Sequence, residues 1–330
     1  MNATRLTGNP VVSLTESAAD KVAELANAIS ADPRQEPVRF LAQARLAARQ
    51  LPEGFWQLLE CFRVHGSESG ILVVRGLPVP AVPATPPNNS HHIGSTTNAA
   101  KITGLINSAL GDMLGYEAEA GGRLFQDMVP TRSMAYTQTS QGSKVVLEAH
   151  TEQAFSRLRP DFLSLFCLRG HPDAATYVFP ATDLLPHVTD AEVEMLRRPH
   201  WTFGVDESFR VGGHEFLEGD TRGPLPILSG PESDPGFLFD QDLQHGITKA
   251  AHGLLGKIID VYCEHRRSHV LQPGDLLLLD NLRAIHGRSA FTPRFDGTDR
   301  FVLRSFIVRD LGRSRHARTG SDRIVTARYS

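Results

Sequence analysis

The stretch FVLRSFIV, Phe301–Val308, limits the possible folds more than any other part of the chain. Read as a strand, it places Val302, Arg304, Phe306 and Val308 on one face and Phe301, Leu303, Ser305 and Ile307 on the other. Both faces are mainly apolar, so the strand must be covered on both sides. Arg300, just before it, falls on the same face as Arg304, about 13 Å away at ~3.3 Å per residue. A buried arginine is costly unless it meets an anion. Two readings follow: structural ion pairs, with Asp296 and Asp299 nearby, or two guanidinium forks aimed at ligand carboxylates.

The rest of the chain supplies the covering layers. Thr15-Glu16-Ser17 opens a helical pattern in which Ala18, Val22, Leu25 and Ile29 recur at spacings of three and four. Phe40, Leu41 and Ala44 suggest a second helix, and Phe55, Leu58, Leu59 and Phe62 a third. Ile71–Val74 reads as a short buried strand. Leu77–Ser90 carries five Pro and reads as an extended connection. The pattern over Ala99–Leu114 predicts another helix. From about residue 122 the apolar runs shorten, and Val145–Leu147, Phe162–Leu168, Thr176–Phe179, Phe237–Phe239 and Leu276–Leu279 read as strands. One helix, over 243–266, interrupts them. The expectation is one unit over 1–330: a mostly helical part, 1–120, packed on a β-rich sandwich or barrel, 121–330.

Composition excludes several classes. A formal net charge of −3 on 330 residues offers no global basic field for nucleic acid or membrane. Three dispersed cysteines with no CxxC argue against a disulfide framework or thiolate zinc site. The start lacks a leader pattern and no run of 18 apolar residues occurs, so a soluble cytoplasmic protein is expected. The arginine-rich tail (Arg313, Arg315, Arg318, Arg323, Arg328) lacks interleaved aromatics. It is read as a packing or subunit-contact tail, compatible with a homo-oligomer, or one that closes over a site.

LEAHTEQAF, Leu147–Phe155, contains a His-x-Glu pair, His150 and Glu152. The pair alone is weak, because random placement of 14 His and 37 Asp+Glu in 330 residues gives roughly 1.6 His-x-acid pairs. A second, His171-Pro-Asp173, is indeed present and is assigned to a loop. In LQPGDLLLLDNLRAIHGR, Leu271–Arg288, a turn signal and four leucines lead to His286, placed to face a barrel mouth or interior. Alone, His286 is better read as a hydrogen-bonded loop residue. Combined, two His, one carboxylate and no thiolate make the facial triad that holds non-haem Fe(II). Three protein ligands leave room for a chelating 2-oxo acid and O2. One inward Arg would neutralise the far carboxylate of 2-oxoglutarate, and a second would hold an amino-acid carboxylate.

His150-Thr-Glu152, the distal His286 and HGRSAFTPRFDGTDRFVLRSF after it resemble the clavaminate-synthase-like Fe(II)/2-oxoglutarate oxygenases. FQDMVP, QTSQGS, LEAHTEQAFSRLRPDFLSLFCLRG, VDESF, GPLPILSG, FDQDL and SRHAR are most similar to the free L-lysine 3-hydroxylases of that family. The resemblance implies a double-stranded β-helix (jelly roll) with flanking helices. It implies iron ligation by His150, Glu152 and His286, and a distal-carboxylate site for 2-oxoglutarate at Arg300 assisted by Thr176. It also puts the substrate α-carboxylate on Arg304. Asp240 and Asp242 alternate, so on a strand they would share a face and could meet a lysine ammonium. The competing reading is a solvated loop with Asp242 near a helix N-cap. Asp206 and Glu207 are weaker candidates. Gln126, Gln138 and Ser140 could touch the α-amino group, or be structural. The implied reaction hydroxylates free L-lysine, with succinate and CO2 as co-products. Position C3 rests on resemblance alone. The alternatives are C4, arginine or ornithine, and remotely a jelly-roll module that binds an anion without turnover.

Overall fold

The computed structural model describes residues 5–79, 81–206, 209, 221–318 and 323–326. Two sheets face one another. The larger runs in the order Val11–Ser13, Ile71–Arg75, Leu276–Asp280, Phe162–Arg169, Phe301–Val308, Asp112–Tyr116, Ile324–Val325, with Gln126–Met128 also paired to Phe301–Val308. The smaller runs Arg267–Val270, Ala175–Pro180, Ala284–Arg288, Leu147–His150 and is antiparallel throughout. They pack as a jelly roll rather than closing into one continuously hydrogen-bonded barrel.

Phe301–Val308 lies inside the larger sheet and is buried at all eight positions. Its Phe301, Leu303 and Ile307 join Leu72, Val74, Leu276 and Leu278 in a core shared with the helices Glu16–Ala28, Pro37–Ala48, Glu53–His65 and Asn98–Leu110. Its Val302, Phe306 and Val308 join Ile71, Val73, Leu277 and Leu279 in a second core on the opposite face. Strict alternation thus divides each strand between two cores, which is why the runs read as continuously apolar. The polar residue on the helix side, Ser305, is buried but satisfied: Asn107 donates to Ser164 Oγ at 2.9 Å and to Ser305 Oγ at 3.0 Å.

Several expected boundaries move. The helix predicted over Ala99–Leu114 ends at Leu110, and Asp112–Tyr116 is instead a strand antiparallel to Phe301–Val308. At Gly111 a Cβ would lie 2.3 Å from the Val308 carbonyl oxygen, so only glycine lets the chain pass close enough to join the sheet. The helix predicted over 243–266 spans Lys249–His265, with Thr248 accepting from Ala251 N at 3.1 Å as its N-cap. Leu243 and Ile247 lie before it, and Gln244–Gly246 pairs with the unpredicted strand Trp201–Gly204. The strand placed at Val145–Leu147 runs Leu147–His150, and that at Phe237–Phe239 shrinks to Gly236–Phe237.

The basic tail packs down. Arg313 pairs with Asp161 at 3.1 Å and Arg323 with Asp112 at 2.8 Å, while Arg328 lies outside the described residues. Cys167 and Cys263 are free, and among the described residues no helix is long and apolar enough to cross a membrane.

Candidate metal centre and the cavity around it

His150 and His286 sit on adjacent strands of the smaller sheet and are direct cross-strand partners. His286 is therefore not in a loop beyond the leucine strand. Leu276–Asp280 belongs to the larger sheet, and after a turn at 281–283 the chain enters the smaller sheet at Ala284. The imidazole centroids are 4.2 Å apart. Glu152 is carried back toward them by a tight turn whose next residue, Gln153, holds φ at +54°, a conformation that costs a non-glycine residue energy. Asn281 clamps this turn: its Oδ1 accepts from Glu152 N at 2.8 Å, and its Nδ2 donates to the carbonyls of Glu152 at 3.1 Å and Pro160 at 2.9 Å.

Glu152 Oε2 lies 4.0 Å from His150 Nε2 and 3.7 Å from His286 Nε2. It is buried without a hydrogen-bond partner. All three ligand atoms lie within 4.8 Å of one another, and among the described residues no other group of three or more His, Cys, Asp or Glu does so. Burial, His150 and the Arg304 charge hold His286 well below the usual imidazole range, so it is the neutral form that ligates metals. His150 Nδ1 faces the Glu148 carbonyl oxygen at 2.8 Å, which leaves Nε2 as the free lone pair. The donor set and its orphaned carboxylate oxygen fit a metal of the facial-triad type.

The three residues line a cavity of about 690 Å³. Arg300 and Arg304 both reach it, 7 % exposed each. Their surroundings differ. Arg304 pairs with Glu119, and its Nη1 lies 3.0 Å from Glu152 Oε1. Its Nε donates to Gln126 Oε1 at 3.1 Å from the residue directly opposite on the neighbouring strand. Arg300 has no carboxylate partner among the described residues. Asp299 instead accepts the backbone N–H groups of Arg294 and Phe295, and Asp296 accepts the backbone N–H and the hydroxyl of Thr298. Thr176, 3 % exposed, lines the same end. So does Arg288, which burial and the Arg300 charge push down to about 9, still cationic at neutral pH.

The other end is acidic. Asp240 and Asp242 do not alternate on a strand. They lie in a turn in which Asp240 Oδ1 accepts from Asp242 N at 3.0 Å and Leu243 N at 2.8 Å. An Asx turn of this kind holds Asp240 inward beside His150, while Asp242 is exposed at the rim. Burial raises Asp240 to about 6 despite His150. Burial, then the charges of Asp240, Glu119 and Glu152, raise Asp206 well above the carboxylate range. Burial also raises Glu119, against the pull of Arg304. Glu207 lies outside the described residues.

Gln138 is at the rim, its amide tied to Val146 O at 2.9 Å and Glu148 N at 3.3 Å. Ser140 lines the cavity, and its carbonyl accepts from Arg288 Nη1 at 3.3 Å. His171 and Asp173 form a local turn, Asp173 N to His171 Nδ1 at 3.2 Å, away from the cavity. Sequence reasoning missed Glu119, whose neighbours in the chain carry no motif, and Asn281, which follows the leucine strand with no motif of its own.

A two-layer jelly roll with two His and one carboxylate on its inner faces, and buried arginines with and without an acid partner in one cavity, fits the non-haem iron oxygenases that work with a 2-oxo acid. The chain belongs to the Taurine catabolism dioxygenase TauD, TfdA family, which residues 52–306 match. It is 50 % identical over 321 residues to an L-lysine 3-hydroxylase of Catenulispora acidiphila, covering 97 % of this chain and 90 % of that one. An L-asparagine oxygenase of Streptomyces coelicolor is 33 % identical over 96 % of this chain and 95 % of its own. Among solved structures, an asparagine oxygenase in complex with Fe(II), 3-hydroxyasparagine and succinate superposes with a TM-score of 0.88 at 32 % identity, covering 96 % and 99 % of the two chains. The non-heme iron oxygenase OrfP with Fe and alpha-ketoglutaric acid gives 0.85 at 29 % identity, covering 96 % and 100 %.

Proposed function

We propose that this protein is an Fe(II)- and 2-oxoglutarate-dependent dioxygenase that hydroxylates free L-lysine at C3, releasing succinate and CO2. The observation that carries the reading is the charge division of one cavity: buried arginine without an acid at one end, the triad in the middle, and mutually repelling acids at the other. The relative of known substrate at 50 % identity supports lysine as the amino acid. His150, Glu152 and His286 would hold the iron. The chemistry that iron supplies when bound is dioxygen activation: one oxygen atom goes to a substrate C–H bond and the other to the 2-oxo acid, which leaves as succinate and CO2.

The protein's own groups do the rest. Arg300, with Thr176, receives the distal carboxylate of 2-oxoglutarate, since a guanidinium buried without an acid is satisfied by an anion. Arg304, oriented by Gln126, receives the substrate carboxylate, and Glu119 beside it accepts the α-ammonium. Asp240 and Asp206 accept the side-chain ammonium, a charge that would offset the burial that raises both acids and the carboxylate repulsion that adds to it at Asp206. Holding both ends of lysine decides which carbon faces the metal. Asp242, Gln138 and Ser140 border the entrance. A cytoplasmic location fits the expected free amino-acid substrate.

A second reading keeps the chemistry and changes the substrate or carbon. Relatives at 28 % identity include an L-ornithine/L-arginine 3-hydroxylase and an L-lysine 4-hydroxylase. Turnover with Fe(II), ascorbate, 2-oxoglutarate and single amino acids in air, followed by mass spectrometry and NMR of the product, separates these. Expected is one added oxygen on lysine, at C3, absent in His150→Ala. A gain confined to arginine or ornithine overturns the lysine assignment.

A further inference from the structure

The 2-oxo acid end of the cavity contains more positive charge than one carboxylate needs. Arg288 lies two residues after His286 on the same strand, so its side chain leaves the sheet on the cavity side, about 7 Å along from the imidazole. Its cross-strand partner is Thr176. Directly opposed side chains on one face are neighbours, with Cβ atoms about 5 Å apart. Arg288 is 5 % exposed and lines the cavity. Its Nε donates to Ser289 O at 3.1 Å and its Nη1 to Ser140 O at 3.3 Å, while Phe291 packs 5.1 Å from the guanidinium carbon. Nη2 is buried with no partner, and no carboxylate pairs with Arg288 among the described residues. Two carbonyls and an aromatic ring hold the fork in place, but none of them neutralises it.

We propose that Arg288 is a second cation for the distal carboxylate of the 2-oxo acid, shared with Arg300, and that the pair makes this end selective for a 2-oxo diacid over a 2-oxo monoacid. This rests on the reading that the Arg300 end receives the co-substrate. A structural brace for the 140 loop explains Nη1 alone. It explains neither the free Nη2 nor the burial of a second unneutralised charge beside Arg300, an arrangement that is costly until an anion arrives. A monoacid could chelate the metal but would leave both guanidinium groups unpaired. A diacid would pair them together.

The test is calorimetric binding of 2-oxoglutarate and of 2-oxobutyrate to the full-length protein loaded with Mn(II), without turnover. Arg288→Gln is expected to weaken 2-oxoglutarate by about ten- to a hundredfold while leaving 2-oxobutyrate within about twofold, since a hydrogen bond between charged groups is lost only for the diacid. Equal weakening of both acids, or of neither, overturns the proposal. Arg300→Gln runs alongside. If it loses 2-oxoglutarate and Arg288→Gln does not, only the Arg288 assignment falls. If Arg300→Gln binds normally, the co-substrate reading itself falls. Should Arg288→Gln not fold, a crystal structure of the wild-type protein with Mn(II) and 2-oxoglutarate decides. Nη2 within about 3.2 Å of the distal carboxylate supports the proposal, and a gap beyond about 4.5 Å overturns it.

Discussion

Asp240, proposed here to meet the substrate ammonium, opposes folding while it is ionised. Its carboxyl is raised from its usual value to about 6 by burial. A group raised in the folded state contributes stability that is present below its unfolded pKa and lost as pH rises through the folded one. At pH 7.5 the ionised Asp240 therefore destabilises the ligand-free protein. Asp240→Asn keeps the acceptor for the amides of Asp242 and Leu243 and removes the charge. It is expected to raise thermal stability at pH 7.5 by about 1–3 kcal/mol and to change little at pH 4. In the same variant the KM for lysine should rise about tenfold or more, and wild-type lysine affinity should fall as pH drops through about 6. Calorimetric melts at both pH values and steady-state kinetics check this; an unchanged KM removes Asp240 from the substrate site. The acids were visible in the sequence as FDQDL, but their inequality was not. Alternation would make them equivalent, whereas the turn points one inward and leaves the other at the rim.

Among elements, the pairing of Leu147–His150 with Ala284–Arg288 matters most, because it makes two metal ligands neighbours. Gly287 lies between His286 and Arg288 with its absent side chain directed to the outer face. A Cβ there would fall 2.6 Å from Leu147 O and 2.7 Å from Tyr262 Oη of the helix Lys249–His265. Gly287→Ala should force the strand pair or the helix outward. The expected cost is about 1–3 kcal/mol, with weaker Fe(II) binding, read by denaturant midpoints and metal titration under nitrogen. Stability and metal affinity both unchanged would mean that this contact does not set the ligand geometry. The apolar strands were legible here because each side is buried. The short strands Trp201–Gly204 and Gln244–Gly246 were not, since three or four residues hold too little periodicity to separate from loop.

For the whole molecule, the larger sheet is shared property. Leu72, Val74, Leu276, Leu278 and Leu303 belong to the core built with the helices, while Leu277, Leu279 and Val302 belong to the cavity side. We expect one cooperative unit over the chain rather than a separable helical part. A fragment that starts after Gly66 would expose the helix-facing rows of the sheet and should be insoluble or unable to bind iron. A soluble 67–330 fragment with wild-type iron affinity would show instead that the jelly roll stands alone.

The sequence by itself determined that a strand apolar on both faces must lie between two layers, that buried arginines at 300 and 304 require anions, and that two His and one Glu form a candidate triad. The first two are properties of periodicity and of the cost of burying charge, both local, and the third follows from the donor types alone. The tertiary structure decided which charges remain unanswered. Arg304 meets Glu119, from a distant segment, while Arg300 and Arg288 meet no acid among the described residues. It also decided that Asn281 clamps the turn of Glu152 from 129 residues away. Such pairings depend on which strands become neighbours, and long-range register is set by the packing of the whole chain.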